Sequence, residues 1–378
     1  MISAQPPGQH GTGELLTPAP ISRQRHSVRS RSAVNPRPVT TTELPSGARV
    51  RLSHDVVRLD DGHRVGVSTG GRGVPLVFLH GYGLNARAYL GLLSRLGALG
   101  FSVIAVDAAG HGGTPRLPAE ATLERRVDLT LRALDAVGVR KAVFLGHSMG
   151  GRMIVDLAAR APERVLAAVL LNAAAGAPFD ESISSGHRSP RAVAERLLAV
   201  AVDAQGDPRR LPLGEMAGYL RVMAGALARN TRSPRGLSGS LRALLGSGDF
   251  GDKLVAMRAN GVPTIVVHGE KDGVVPFENA YDMAERADGT LYRVPGAHHS
   301  WMLAHPRQGA DMMRQLLGAE LGRALARVYR DTPDLDADEL EPVELELLRS
   351  PAARRHSRRR PWAFRWPARR RVPAALTG

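Results

Sequence analysis

Val143-Phe-Leu-Gly-His-Ser148-Met-Gly-Gly151 decides how this chain is read. An apolar run of β-branched and aromatic residues stops at Gly146, and a helix-compatible segment, Met153 to Arg160, follows at once. The pattern G-x-S-x-G between a strand and a helix is the sequence context of a nucleophile elbow. A serine hydroxyl attacks poorly unless a tight turn holds it exposed beside a base. Side chains at Gly146 and Gly150 would collide with such a turn or with neighbouring backbone. A plain Gly/Ser turn joining a strand to a helix satisfies the same pattern, so the reading depends on partners elsewhere in the chain.

Upstream, Pro75 to Leu79 is a continuous apolar run, as in a strand buried on both faces, and it empties into His80-Gly81-Tyr82-Gly83. Helical spacing from Ala86 to Leu99 leads to a second buried strand, Phe101 to Val106, then to Asp107 and Gly110-His111-Gly112-Gly113. A helix from about Leu123 to Val137 precedes the strand Ala142 to Leu145 and the elbow. Before these, Arg49 to Thr69 alternates as a hairpin around Asp60-Asp61-Gly62. Downstream, Ala167 to Leu171, Thr264 to Val267 and Thr290 to Val294 continue the strands, and a final helix, Gln308 to Val328, closes the domain. Short apolar strands alternating with helical patterns predict an α/β fold: a mostly parallel central sheet with helices on both faces.

The alternation breaks from 176 to 260, where helical patches (Ala192 to Val202, Leu213 to Leu227, Leu241 to Leu245) are separated by Gly, Pro and Ser. This segment is expected to be a helical lid over the strand ends, where ligands bind in open α/β sheets. The catalytic domain then spans 47–328. Residues 1–46 are Pro-, Ser-, Thr- and Arg-rich without periodicity and are expected to form a disordered basic arm. Residues 329–378 hold an acidic run, Asp331 to Glu346, and a basic one, Arg349 to Arg371, with Trp362, Phe364 and Trp366 among its arginines. No packed core is expected there. The two runs read as solvated tails; the sharper reading docks the Arg/Trp segment on an anionic membrane surface, with nucleic acid the weaker alternative.

The chain's 378 residues, 43% of them hydrophobic, suffice for one large α/β domain with extensions. There is no cysteine, which excludes disulfides and thiolate metal sites. No apolar run reaches the roughly 18 residues of a membrane span, and the first twenty residues lack an apolar signal region. A cytoplasmic location is expected, with peripheral membrane contact through the tail. The net charge of +15 is carried almost wholly by arginine, since lysine occurs only at 141, 253 and 271. That charge favours acidic partners without choosing among them. No His-Glu-x-x-His or similar ligand spacing appears, so neither metal nor cofactor is expected. Gly70 to Gly73 precedes a strand, whereas a dinucleotide fingerprint follows one.

A serine nucleophile needs a base, an orienting acid and donors for the developing oxyanion. Folds with this elbow supply Ser, then the acid, then His along the chain. Thr264 to Pro276 offers the acid: a strand, a glycine break, then Asp272. Glu270 is the nearby competitor and Asp180, after the previous strand, the second. An Asp-Gly turn accounts for Asp272 without chemistry. The loop from Val294 to Pro306 offers His298, His299 and His305 as the base.

With these motifs in order, residues 50 to 325 resemble the serine-dependent α/β-hydrolase family, of esterase or lipase type. In that family the catalytic His stands seven residues before a Pro, in a pattern like Gly-His-x-x-x-Leu-x-x-Pro, which selects His299. The preceding residue is His298 where the family has Gly, so His298 stays open as the alternative; His305 reads as a helix-start residue. The resemblance implies an oxyanion hole made by the backbone amides of Tyr82 and Met149, supported by His80, Gly81, Gly146 and Gly150. His80 and His111 are expected to hold loop backbone, and His147 to pack beside the elbow. Arg152 and Tyr89 either face the pocket or pack. A serine at the elbow separates the chain from relatives that attack with Asp. It leaves ester hydrolysis first, with thioesterase, acyltransferase, C–C bond hydrolase and perhydrolase as alternatives on the same triad. A non-catalytic binding protein of the same fold is the reading from another class, and such proteins usually lack a triad residue that this chain retains.

Overall fold

Strands that are apolar at every position need a core on each face, and the sheet of this protein has both. The structure is a computed structural model that describes residues 37–38, 48–118, 120–186, 203, 206–230 and 234–331. The strands are β1 (Arg37–Pro38), β2 (Ser53–Arg58), β3 (Arg64–Gly70), β4 (Val74–Leu79), β5 (Phe101–Val106), β6 (Ala142–His147), β7 (Val165–Leu171), β8 (Thr264–Gly269) and β9 (Thr290–Val294). They form one sheet in the order β1-β9-β8-β7-β6-β4-β5-β3-β2. The pairs β2–β3 and β3–β5 are antiparallel and all others parallel.

Alternate residues of each central strand enter opposite cores. Val77, Leu79, Phe144, Leu170 and Val266 face one side, with Leu123, Val127, Met153, Ile154, Leu254 and Met283 from the helices covering it. Leu76, Phe78, Leu145, Val169 and Val267 face the other, with Leu92, Leu96, Met312, Leu316 and Leu325. Burial on both faces explains why these strands read as unbroken apolar runs.

Between β7 and β8 the described residues form the helices Ala177–Gly186, Leu213–Asn230, Pro234–Leu245 and Gly251–Ala259, and no strand. The patch read at Ala192 to Val202 lies outside the described residues. Two features differ from the sequence reading. Arg37–Pro38, inside the stretch expected to be a disordered arm, pairs in parallel with Tyr292 and Arg293 at the edge of the sheet; the rest of 1–46 lies outside the described residues. The single closing helix is two, Pro306–Leu317 and Glu320–Asp331, interrupted at Gly318-Ala319. A strand edge tolerates proline, and the glycine weakens the helix where it breaks. The Arg/Trp tail lies outside the described residues. Among the described residues no helix is long and apolar enough to cross a membrane.

Candidate active site

Register brings the first two pieces of the site together. Leu79 of β4 pairs with Gly146 of β6, so His80-Gly81-Tyr82 and His147-Ser148-Met149 leave adjacent strand ends side by side. Such a point, where the chain order across the sheet reverses, is where open α/β sheets bind ligands. Ser148 has φ 52° and ψ −117° and immediately precedes the helix Met149–Arg160. A non-glycine residue held there costs about 1–3 kcal/mol, sustained only if its surroundings over-determine it. They do: Ser148 N–H donates to Leu171 (3.0 Å), and its carbonyl accepts from Arg152 (3.2 Å) and Ala174 (3.1 Å). A Cβ on Gly150 would overlap the Leu79 carbonyl and meet the His80 carbonyl at 2.9 Å, so this close approach of helix start to loop requires glycine. One on Gly146 would meet the Gly150 carbonyl at 2.7 Å.

Asp272 and His299 meet beside this elbow, at the ends of β8 and β9. His299 Nδ1–H donates to Asp272 Oδ2 at 2.8 Å, and both residues are buried. The same carboxylate accepts from Asn172 Nδ2 (2.6 Å) and from the amides of Val274 and Val275 (2.8 Å each), while His268 Nε2 stands 3.3 Å from Oδ2. Burial alone would raise its pKa; the His299 charge and the hydrogen bonds from His268 and His299 outweigh that and hold the carboxyl well below its ordinary range. Burial likewise pulls His299 down, but the facing Asp272 carboxylate and its hydrogen bond leave the imidazole raised.

His147 ties His299 to the elbow. Its Nε2–H donates to the His299 carbonyl at 2.9 Å, and the two rings stand 4.8 Å apart, centroid to centroid. With Nε2 donating, Nδ1 must accept, and it takes the Tyr89 hydroxyl proton at 2.7 Å; that oxygen in turn accepts from Gly81 N–H at 3.2 Å. Burial, and then the His299 charge, lower the His147 pKa to about 3, which keeps this chain of bonds in one direction. Tyr89 therefore packs, but as a polar brace and not as filler. His80 and His111 hold loops as well: His80 Nε2 accepts from Ala108 N–H (2.9 Å) and His111 Nε2 from Gly83 N–H (3.2 Å). The amides of Tyr82 and Met149 donate to no acceptor among the described residues.

The competing acids and bases are engaged elsewhere. Asp180 forms a buried ion pair with Arg152 at 2.5 Å, so Arg152 also packs, with its guanidinium 3.6 Å from the Phe250 ring centre. Glu270 is exposed and bonded to Arg293 and to the Gly296 amide. The His298 ring lies against Gly206, with Nδ1 3.5 Å from Asp203, and His305 stands at the N-terminal boundary of the helix Pro306–Leu317 without a side-chain capping bond. Sequence reasoning missed Asn172, His268, Asp203 and Asp207. Asn172 and His268 carried a faint signal, each being a polar residue at the end of an apolar strand run.

A family model described as alpha/beta hydrolase fold matches residues 74–306. A protein of Mycobacterium phage D29 provisionally named a non-heme haloperoxidase is 41% identical, over 69% of this chain and 94% of its own length. A pimeloyl-[acyl-carrier protein] methyl ester esterase of Aromatoleum aromaticum is 31% identical, over 64% of this chain and 97% of its own. Among solved structures, a hydrolase from Pseudomonas aeruginosa PA01 superposes with a TM-score of 0.54 at 26% identity, covering 71% of this chain and 99% of that one.

Proposed function

The chain belongs to the alpha/beta hydrolase fold family, and from that premise we propose that it hydrolyses a carboxylic ester or related acyl bond through Ser148, His299 and Asp272. The observation that carries this is the buried 2.8 Å contact of His299 with Asp272, held through His147 to the strained turn that presents Ser148. Ser148 Oγ attacks the acyl carbonyl while His299 Nε2 takes its proton, and Asp272 fixes the tautomer and stabilises the imidazolium. The oxyanion is received by the free amides of Tyr82 and Met149, which need no reorganisation. His299 then protonates the leaving alcohol, and water, deprotonated by His299, releases the acid and restores Ser148. The helices of 176–260 form the lid that shapes the pocket.

The test is turnover of a p-nitrophenyl ester series from acetyl to palmitoyl. Ser148→Ala and His299→Ala are expected to lower kcat by about 10⁴-fold or more, at unchanged fold by circular dichroism. Retention of wild-type turnover by either variant overturns the assignment. A second reading is favoured by the name of the phage relative. Hydrogen peroxide replaces water at the acyl-enzyme, giving a peracid and free Ser148, and the peracid then oxidises halide. Peracid formation that depends on both peroxide and Ser148 supports it, and hydrolysis unaffected by peroxide discards it.

The Arg/Trp segment with Trp362, Phe364 and Trp366 serves in this proposal to hold a cytoplasmic enzyme at anionic membrane surfaces. A chain ending at Asp331 is expected to lose sedimentation with anionic liposomes while keeping ester hydrolysis. Equal sedimentation of the two chains discards the tail's role.

A further inference from the structure

The loops that carry Asp272 and His299 are joined by backbone bonds only part of the way. Past the β8–β9 pairing, Glu270 N–H donates to Val294 (3.0 Å) and Lys271 N–H to Ala297 (2.8 Å), and there the backbone bonds between the two loops end. One and two residues further on, where the acid and the base stand, the His299–Asp272 bond is joined by a side chain from the insertion that bridges the two backbones. Asp203 Oδ1 accepts from Gly273 N–H at 2.8 Å and Oδ2 from His299 N–H at 2.9 Å. We propose that Asp203 is a positioning residue that locks the acid loop to the base loop and adds a second negative charge behind the His299 imidazole.

Three observations support this. Asp203 is 5% exposed, and among the described residues it has no Lys or Arg partner; only His298 Nδ1 approaches, at 3.5 Å. A buried carboxylate needs bonded partners, and here those partners are the amides of the two loops. The grip is also repeated: both oxygens of Asp207 accept from His298 N–H, at 3.1 and 3.2 Å, so consecutive amides before the imidazole are held by carboxylates of the insertion. Finally, the groups facing His299 are Asp272 from the β8 loop, His147 from the elbow, and Asp203 and Asp207 from the insertion. Burial opposes the charged imidazole, while the carboxylates of Asp272, Asp203 and Asp207 all favour it.

The effect on rate rests on the serine-hydrolase reading; the effect on the imidazole does not. The experiment therefore titrates His299 by NMR in Ser148→Ala protein, with and without Asp203→Asn. The midpoint is expected to fall by about one unit, as expected for loss of a nearby charge. In the active enzyme Asp203→Asn is expected to lower kcat about 10- to 100-fold, with KM changed less than about threefold, and to move the acid limb of kcat/KM downward. Asp203→Glu, which keeps the charge, should restore the midpoint. Asp207→Asn, which loosens the His298 amide bond and removes the weaker of the two insertion charges, should give a smaller shift in the same direction. An unchanged His299 midpoint in a folded Asp203→Asn protein, or in Asp203→Ser where the former does not fold, overturns the proposal. Loss of all ester turnover in the wild-type protein would sink the hydrolase reading while leaving the titration result standing.

Discussion

At the scale of single residues, one imidazole decides the proposed chemistry. In that proposal His299 must be neutral to take a proton from Ser148, and its environment raises its pKa above the ordinary 6.5, burial being outweighed by Asp272. Activity is therefore present above that raised pKa and is lost as pH falls through it. The acid limb of kcat/KM is expected above pH 6.5, and a pH–rate profile checks it; a limb below that value contradicts the reading. Asp272→Asn removes the charge and the correct tautomer together, so kcat should fall by about 10⁴-fold while the limb moves to lower pH. Tyr89→Phe leaves the Gly81 amide and His147 Nδ1 without their shared partner. It is expected to cost about 1–3 kcal/mol of stability, measured by urea unfolding, the usual penalty for stranded buried groups.

At the scale of elements, the helix Met149–Arg160 does two jobs. Its first turn presents Ser148, and Gly150 lets that turn touch the end of β4. Gly150→Ala places a methyl group in the Leu79 carbonyl, so the turn must open, and both activity and melting temperature are expected to drop. One turn on, Arg152 joins the start of the insertion to its later part: it bonds Asp180, the carbonyls of Ala174 and Gly248, and Ser247 Oγ. Removing one member of a buried pair strands the other, so Asp180→Ala should cost about 3–5 kcal/mol in urea unfolding. Replacing Arg152 and Asp180 together by apolar residues should cost less than either single change. Equal, additive losses would show that the pair does not act as a unit.

At the scale of the whole molecule, the fold was legible because its central strands are buried on both faces whereas helices such as Leu123–Ala136 and Pro306–Leu317 bury one. Continuous apolar runs such as Leu76 to Leu79 and Val266 to Val267 carry that difference in the sequence itself. Ser148, Asp272 and His299 were legible as candidates because each follows a strand and sits in local turn chemistry, in a fixed chain order. Asp203 was not, and Asn172 and His268 were so only faintly, as polar residues ending apolar runs, because their roles arise from which segments the fold brings side by side. The break at Gly318 and the pairing of Arg37–Pro38 escaped for a related reason: each depends on tertiary neighbours that override weak local preference.

The most direct test of the whole account is covalent. A fluorophosphonate probe, followed by peptide mapping of the adduct, should place the label on Ser148 in the wild-type protein, with labelling absent in Ser148→Ala and slowed by about 10³-fold or more in His299→Ala. An adduct on any other residue, or equal labelling rates in the three proteins, would contradict it.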